Sequence, residues 1–255
     1  IKRERSNNMS SKSNYNYFHK KSKQTKKIIN DNNYTYRSLL FILKKYIKKL
    51  PLKSLILDVG CGTGNISLYL ANIGFEVFGI DVSPKAVKLA QKSSKSLKLN
   101  NLTTFNISDV NKVSLEKEKY CLIICSEVIE HLKNDKKVLS MISNSLKKNG
   151  LLIISVPSKN APLFRWGYAD KFDAEVGHLR RYSESELISL VENQNLKVIE
   201  TKKTEGLLRN SLFILNNLGW IVRFIKGPLV IIFSLLDNLF IRLFKESQIF
   251  VIAKK

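Results

Sequence analysis

The sequence predicts an α/β fold in which a mostly parallel sheet carries helices on both faces. Three observations lead there. Short apolar runs alternate with segments of helical period from about residue 54 to residue 156, the pattern of strands joined by crossover helices. The first run, Leu55 to Val59, leads into Gly60-Cys61-Gly62-Thr63-Gly64, and helical spacing begins at Asn65. Asp81 closes the next run 23 residues after Asp58, the distance that one strand-helix-strand unit spans.

The glycine turn is the candidate cofactor site. Backbone that must lie against a ligand needs positive φ and no Cβ in the way. Dinucleotide turns space their glycines G-x-G-x-x-G and rest a pyrophosphate on the helix start. Here the glycines stand at 60, 62 and 64, and Asp58 lies two residues before the first. An acid there repels a diphosphate and suits an ammonium. Asp81, at the end of the neighbouring strand, is placed to accept both hydroxyls of a ribose. Ser83 and Pro84 read as an N-cap followed by Pro at the first helical position.

These residues resemble motif I and the following acidic strand end of the class I S-adenosylmethionine (SAM)-dependent methyltransferases. The resemblance spans about 50–205 plus a terminal strand at 247–253. It implies a Rossmann-like seven-stranded sheet whose last strand is antiparallel, and SAM as cofactor. It also implies a cofactor shell of Asp58, Gly60, Cys61, Gly62, Gly64, Asp81, Val82, Asp109, Val110 and Ser126, with Asp109 meeting the adenine amino group. The residues themselves also allow Asp109 to be a turn cap.

The remaining elements follow in chain order. Residues 1–53 hold 15 basic and two acidic residues out of a chain net charge of +22. Residues 1–33 are polar, without periodicity, and are expected to form a disordered basic tail. Met9 is a candidate start with no apolar run beside it, which implies no secretory signal. Three cysteines in apolar segments imply reduced thiols and a cytoplasmic location. Tyr36 to Leu50 has helical spacing and ends at Pro51; it packs beside the sheet or covers the cofactor. Helices are expected over Pro84 to Leu97 and Asp135 to Lys148, with Gly150 as a stop, then strand Leu151 to Val156. The core domain runs 34–205.

Chemistry concentrates after the apolar strand Tyr120 to Cys125. On a turn, Glu127, Glu130 and His131 share a face at i, i+3 and i+4, so two carboxylates and an imidazole converge on one hard cation. The triplet resembles the E-x-x-E-H element of ubiquinone-pathway O-methyltransferases and of small-RNA 2′-O-methyltransferases, the latter adding a later His, for which His178 is the candidate. This implies Mg2+ or another divalent cation on Glu127, Glu130, His131 and His178, and catalytic roles for Glu127, His131 and His178. The alternative is a turn without metal, its acid capping a helix or contacting the methionine end of the cofactor.

Residues 157–182 read as a substrate loop, with Trp166, Tyr168, Arg180, Arg181 and Tyr182 as candidate acceptor contacts. Arg180 and Arg181 equally serve to hold the loop to nearby acids. Ser183 and Glu186 form a capping box. The insert at 206–246 reads as two apolar helices of about 20 and 16 residues split at Gly227-Pro228, too interrupted by charge to span a bilayer. It is a lid, an in-plane anchor on an anionic membrane, a dimer interface or a hairpin buried on its own domain; residues 247–255 return to the sheet. The expected activity is O-methylation of a small or lipid-like acceptor at the cytosolic membrane face. RNA methylation is the alternative, although the excess charge sits mainly in the tail; a non-catalytic SAM-binding membrane protein is the third. The oligomeric state is not legible.

Overall fold

The computed structural model describes residues 23–215, 221, 224, 225 and 227–255. Helix α1 (Arg37–Ile47) precedes β1 (Leu55–Val59), α2 (Asn65–Ile73), β2 (Glu76–Asp81), α3 (Pro84–Ser96) and β3 (Thr103–Ile107). Strand β4 (Tyr120–Ser126), a 3-10 turn (Ile129–His131), α4 (Asp135–Ser145) and β5 (Leu146–Pro157) follow. The loop beyond β5 carries α5 (Pro162–Arg165) and α6 (Asp170–Val176), then α7 (Glu184–Glu192), β6 (Lys197–Thr204), α8 (Leu207–Ile214), α9 (Pro228–Phe244) and β7 (Gln248–Lys254).

The strand order is β3-β2-β1-β4-β5-β7-β6. All neighbours from β3 to β5 pair parallel, and β7 pairs antiparallel with both β5 and β6. The central strands are apolar on both faces because helices cover both. Along β4, Leu122 and Ile124 enter one core layer, while Ile123 and Cys125 enter the other. The same alternation runs along β7, with Phe250 and Ile252 on one side and Ile249 and Val251 on the other.

The crossover reverses between β1 and β4, so the carboxyl ends of β1, β2 and β4 open onto one crevice. Helix α1 closes one flank. Its apolar face is buried through Leu40 and Leu43, and Tyr46 and Lys45 reach across to Glu200 of β6.

Three boundaries differ from the sequence expectation. Helix α4 ends at Ser145, and Lys147 to Gly150 lie within β5, where the pairing with β4 shifts register between Tyr120 and Leu122. Asn149 takes φ +64°, and a Cβ on Gly150 would meet the Lys147 carbonyl at 2.8 Å, so this glycine shapes a bulge. Residues 23–33, expected within the tail, run along the domain: Ile29 is in the core and Thr25 bonds Ser93 and Asn65. The tail up to residue 22 lies outside the described residues. The first helix of the insert covers only Leu207–Ile214. Its expected continuation falls largely outside them.

Candidate functional site

Each glycine of the turn takes the left-handed conformation, with φ of +69° at Gly60, +54° at Gly62 and +81° at Gly64. Gly60 has a second constraint, since a Cβ would sit 2.4 Å from Val128 Cγ2. At Gly64 the backbone passes under Phe105 and Ala90, each 3.0 Å from a virtual Cβ. The turn is pinned to its neighbour strand by the Gly60 and Cys61 amides, which donate to the Ile80 carbonyl at 2.8 and 3.0 Å.

Asp81 closes the arrangement. Its Oδ2 accepts from the Gly62 amide at 2.9 Å, and its Oδ1 from the Ser83 amide at 2.8 Å. The side chain is therefore fixed in orientation, with acceptor capacity remaining on each oxygen. Ser83 caps α3 by accepting from the Ala86 amide at 3.3 Å. Asp58 is buried and accepts from Ser67 Oγ at 2.5 Å. Burial pushes its carboxyl up to about 7 against the Ser67 bond, and Asp81 adds to the rise. A cation brought beside Asp58 thus meets a carboxyl held costly to ionise. Cys61 is buried, and burial pushes its thiol well up. Tyr36, at the start of α1, accepts from Asn65 Nδ2 at 2.7 Å, so the segment before α1 is tied to the glycine turn.

Val82 and Val110 are half-buried. Asp109 accepts from the amide and side chain of Asn111, both at 3.0 Å, the turn-capping geometry that the sequence allowed. Ser126 shares a hydroxyl bond of 2.8 Å with Ser155 on β5.

Beyond β4 the chain does not carry Glu127 into the same cluster as Glu130. Glu127 takes φ +56° and is exposed, and its Oε1 accepts from Gln248 Nε2 at 2.9 Å and Ser155 Oγ at 3.2 Å. The backbone then enters a 3-10 turn, which sends Glu130 inward. Glu130 is completely buried, and neither carboxylate oxygen has a hydrogen-bond partner among the described residues. His131 Nε2 lies 3.7 Å and His178 Nε2 4.0 Å from Glu130 Oε1. The ligand atoms of Glu130, His131 and His178 all lie within 4.8 Å of one another.

Both imidazoles are oriented through their other nitrogen. His131 Nδ1 lies 3.0 Å from the Gly177 carbonyl, and His178 Nδ1 lies 2.9 Å from Asp173 Oδ1. A carbonyl and a carboxylate only accept, so each Nδ1 donates and each Nε2 turns a lone pair toward Glu130. Burial pushes His131 down to about 4, with His178 adding to the fall. Burial, followed by the charge of Glu127, pushes Glu130 well up. Two imidazole lone pairs facing a buried carboxyl are adverse unless a proton or a cation lies among them.

A family model described as a methyltransferase domain matches residues 32–201. The chain belongs to this family. It is a class I SAM-dependent methyltransferase, with SAM as its methyl donor. A ubiquinone biosynthesis O-methyltransferase of Pelagibacter ubique is 28% identical over 195 residues, covering 69% of this chain and 77% of that protein. One from Glaesserella parasuis is 33% identical over 113 residues, or 43% of this chain and 48% of its own length, so the match spans about half of that relative. Among solved structures, the geranyl diphosphate C-methyltransferase of Streptomyces coelicolor superposes with TM-score 0.61 at 14% identity, covering 85% of this chain and 75% of its own. The phosphoethanolamine N-methyltransferase 2 of Haemonchus contortus, solved with SAM, superposes with TM-score 0.63 at 16% identity, covering 86% and 52%.

In this methyltransferase the loop after β5 holds itself together with residues that the sequence offered as acceptor contacts. Arg181 is buried, with Nε and Nη2 donating to Asp173 at 2.7 and 2.6 Å and its guanidinium 4.8 Å from the Phe164 ring centre. Arg180 pairs with Asp135 at 2.8 Å, and the buried Tyr182 donates to the same carboxylate at 2.7 Å. Their polar atoms are engaged within the protein, so they position the loop. Trp166 and Tyr168 are exposed, Trp166 edge-on to Phe244 with ring centres 6.0 Å apart.

Asp173 beside His178 is a candidate site residue that sequence reasoning missed. It links His178 to Arg181. Burial works against its charge, yet the His178 and Arg181 hydrogen bonds hold it below the ordinary carboxylate range. Its signal was an acid in a short acidic helix that ends at Gly177, one residue before His178. Glu205, at the end of β6, was also missed; burial pushes it up to about 7 against its 2.9 Å pair with Arg209.

Proposed function

We propose that this methyltransferase moves the SAM methyl to a hydroxyl of a small lipid-like acceptor, with a divalent cation held by Glu130, His131 and His178. The carrying observation is the Glu130 carboxylate, fully buried with both oxygens unpartnered and facing two Nε2 atoms. A single carboxylate with two imidazoles suits a transition metal better than Mg2+. The names of the curated relatives, ubiquinone biosynthesis O-methyltransferases, support a hydroxyl on a lipid-like molecule.

The residues fit both groups. Asp81 has acceptor capacity for a ribose and Asp58 for an ammonium, while Gly60, Gly62 and Gly64 keep the turn free of side chains. SAM supplies an electron-poor methyl for in-line displacement, and the cation supplies Lewis acidity that makes an acceptor hydroxyl easier to deprotonate. Asp173 and the Gly177 carbonyl hold the two imidazoles in the ligating tautomer. Glu127, exposed just past the end of β4, is the carboxylate available to take up the acceptor proton.

Elemental analysis of protein purified without chelator tests the reading. The parent should carry a divalent metal that Glu130→Ala with His131→Ala loses, while SAM affinity by calorimetry stays within about twofold, the site lying outside the glycine turn. A parent that takes up no metal and methylates its acceptor equally in chelator would remove the cation, and methyl transfer to added RNA instead of lipid would replace the acceptor.

A further inference from the structure

Helix α9 is apolar and almost bare. Of its 17 residues only Val230 and Asp237 are buried. Leu235, Leu239 and Leu243 recur at helical spacing and are 65%, 53% and 65% exposed, with Ile231, Ile232 and Leu236 beside them also exposed. From Gly227 to Ile241 the only charged residue is Asp237. It points into the protein, where it accepts from the Gly206 and Arg209 amides at 2.8 and 3.1 Å. Up to Ile241 the exposed face is therefore uncharged, and Arg242 follows on it in the last turn.

Cations flank it in the sequence. The sequence places Arg223 and Lys226 before the helix and Arg242 and Lys245 at its end. Two residues just before α1 also meet the domain here. Tyr34 shares a small apolar cluster with Val230 of α9, and the Tyr34 and Thr35 carbonyls accept from the Arg209 guanidinium. At the other end the exposed Trp166 packs against Phe244. An apolar face bounded by basic residues and an exposed Trp is the make-up of a helix lying in a membrane interface.

Charge selects the occupant. A second copy would bring another +22 chain against the first, whereas an anionic lipid surface attracts it. A transmembrane course does not fit, because no helix among the described residues is long and apolar enough to cross a membrane, and Asp237 straps α9 along its length to Gly206 and Arg209.

We propose that α9 binds in the plane of an anionic bilayer, its leucine face in the acyl boundary and the exposed Arg242 and Lys245 on the headgroups. This goes beyond the proposed reaction and does not depend on it. The helix is continuous with the loop that supplies His178: Glu246, just after α9, accepts from Ser158 Oγ at 3.0 Å and Asn160 Nδ2 at 2.9 Å. A bilayer under α9 is thus held at the mouth of the loop.

The test is co-sedimentation of the full chain with phosphatidylcholine vesicles, with and without phosphatidylglycerol, comparing the parent with Leu235→Glu/Leu239→Glu. Both positions are exposed, so circular dichroism and SAM affinity should match the parent. The parent should bind the anionic vesicles and keep part of that binding in high salt. The double variant should lose about a hundredfold in partition, the transfer value of two leucines. Equal binding by parent and variant would overturn the proposal in favour of the tail alone. A parent that binds neither vesicle and forms a dimer split by the same substitutions would overturn it in favour of a second copy.

Discussion

Replacing Asp58 by Asn should change how stability depends on pH, in the direction that burial of the carboxyl dictates. The Asp58 carboxyl is buried beneath the glycine turn and raised to about 7 from an ordinary 3.8. The folded chain therefore keeps a proton on Asp58 across the window in which the unfolded chain has lost it. Asp58 costs nothing below pH about 4, and stability falls by ~1.4 kcal/mol per pH unit until the folded group ionises near 7, about 4 kcal/mol in all. Asn cannot titrate. Denaturant unfolding of the SAM-free protein from pH 4 to 8 should show the parent losing stability relative to Asp58→Asn as pH rises, then levelling above 7. An ammonium placed against Asp58 favours its ionised form, so calorimetry near pH 6 in buffers of different ionisation enthalpy should detect proton release when SAM binds. A flat difference curve, or a parent that gains stability over the window, would refute the buried-carboxyl argument.

Three further outcomes follow from the same geometry. Gly60→Ala should destabilise by roughly 2–4 kcal/mol, because it combines left-handed strain with contact against Val128; the denaturation midpoint reports it. Asp81→Ala removes the acceptor for two backbone amides and a ribose, and should weaken SAM about a hundredfold or more by calorimetry. Asp173→Asn should lower metal affinity about 10–100-fold through loss of the orienting carboxylate, read by competition with a chelating dye, while far-UV circular dichroism stays unchanged.

The geometry of the glycine turn was legible because it is local. Asp58, Gly60, Gly62, Gly64 and Asp81 lie within one strand-helix-strand unit, where covalent spacing fixes geometry, and the sheet order follows from handed crossovers. The rest of the candidate site was only partly legible, because it depends on how a loop folds back. Sequence spacing put Glu127 on the face of Glu130 and His131. The chain instead takes a left-handed residue at Glu127 and then a 3-10 turn, which separates the two acids. Arg180 and Arg181 read alike in sequence, yet Arg180 faces Asp135 at the surface and Arg181 is buried on Asp173. Asp173 gave little signal, since the seven-residue helix around it buries nothing. In the insert, the apolar pattern of α9 was plain, but only the fold showed that Asp237 turns inward and leaves the leucines outside.

The most direct measurement of the central claim is methyl transfer from labelled SAM to a lipid extract, with the parent first stripped of metal and then resupplied with divalent cations. Label is expected in the lipid as an alkali-stable ether, lost on stripping, restored by a divalent transition metal, and not restored in His178→Ala. Undiminished transfer by the stripped parent, or full recovery by His178→Ala, would contradict it.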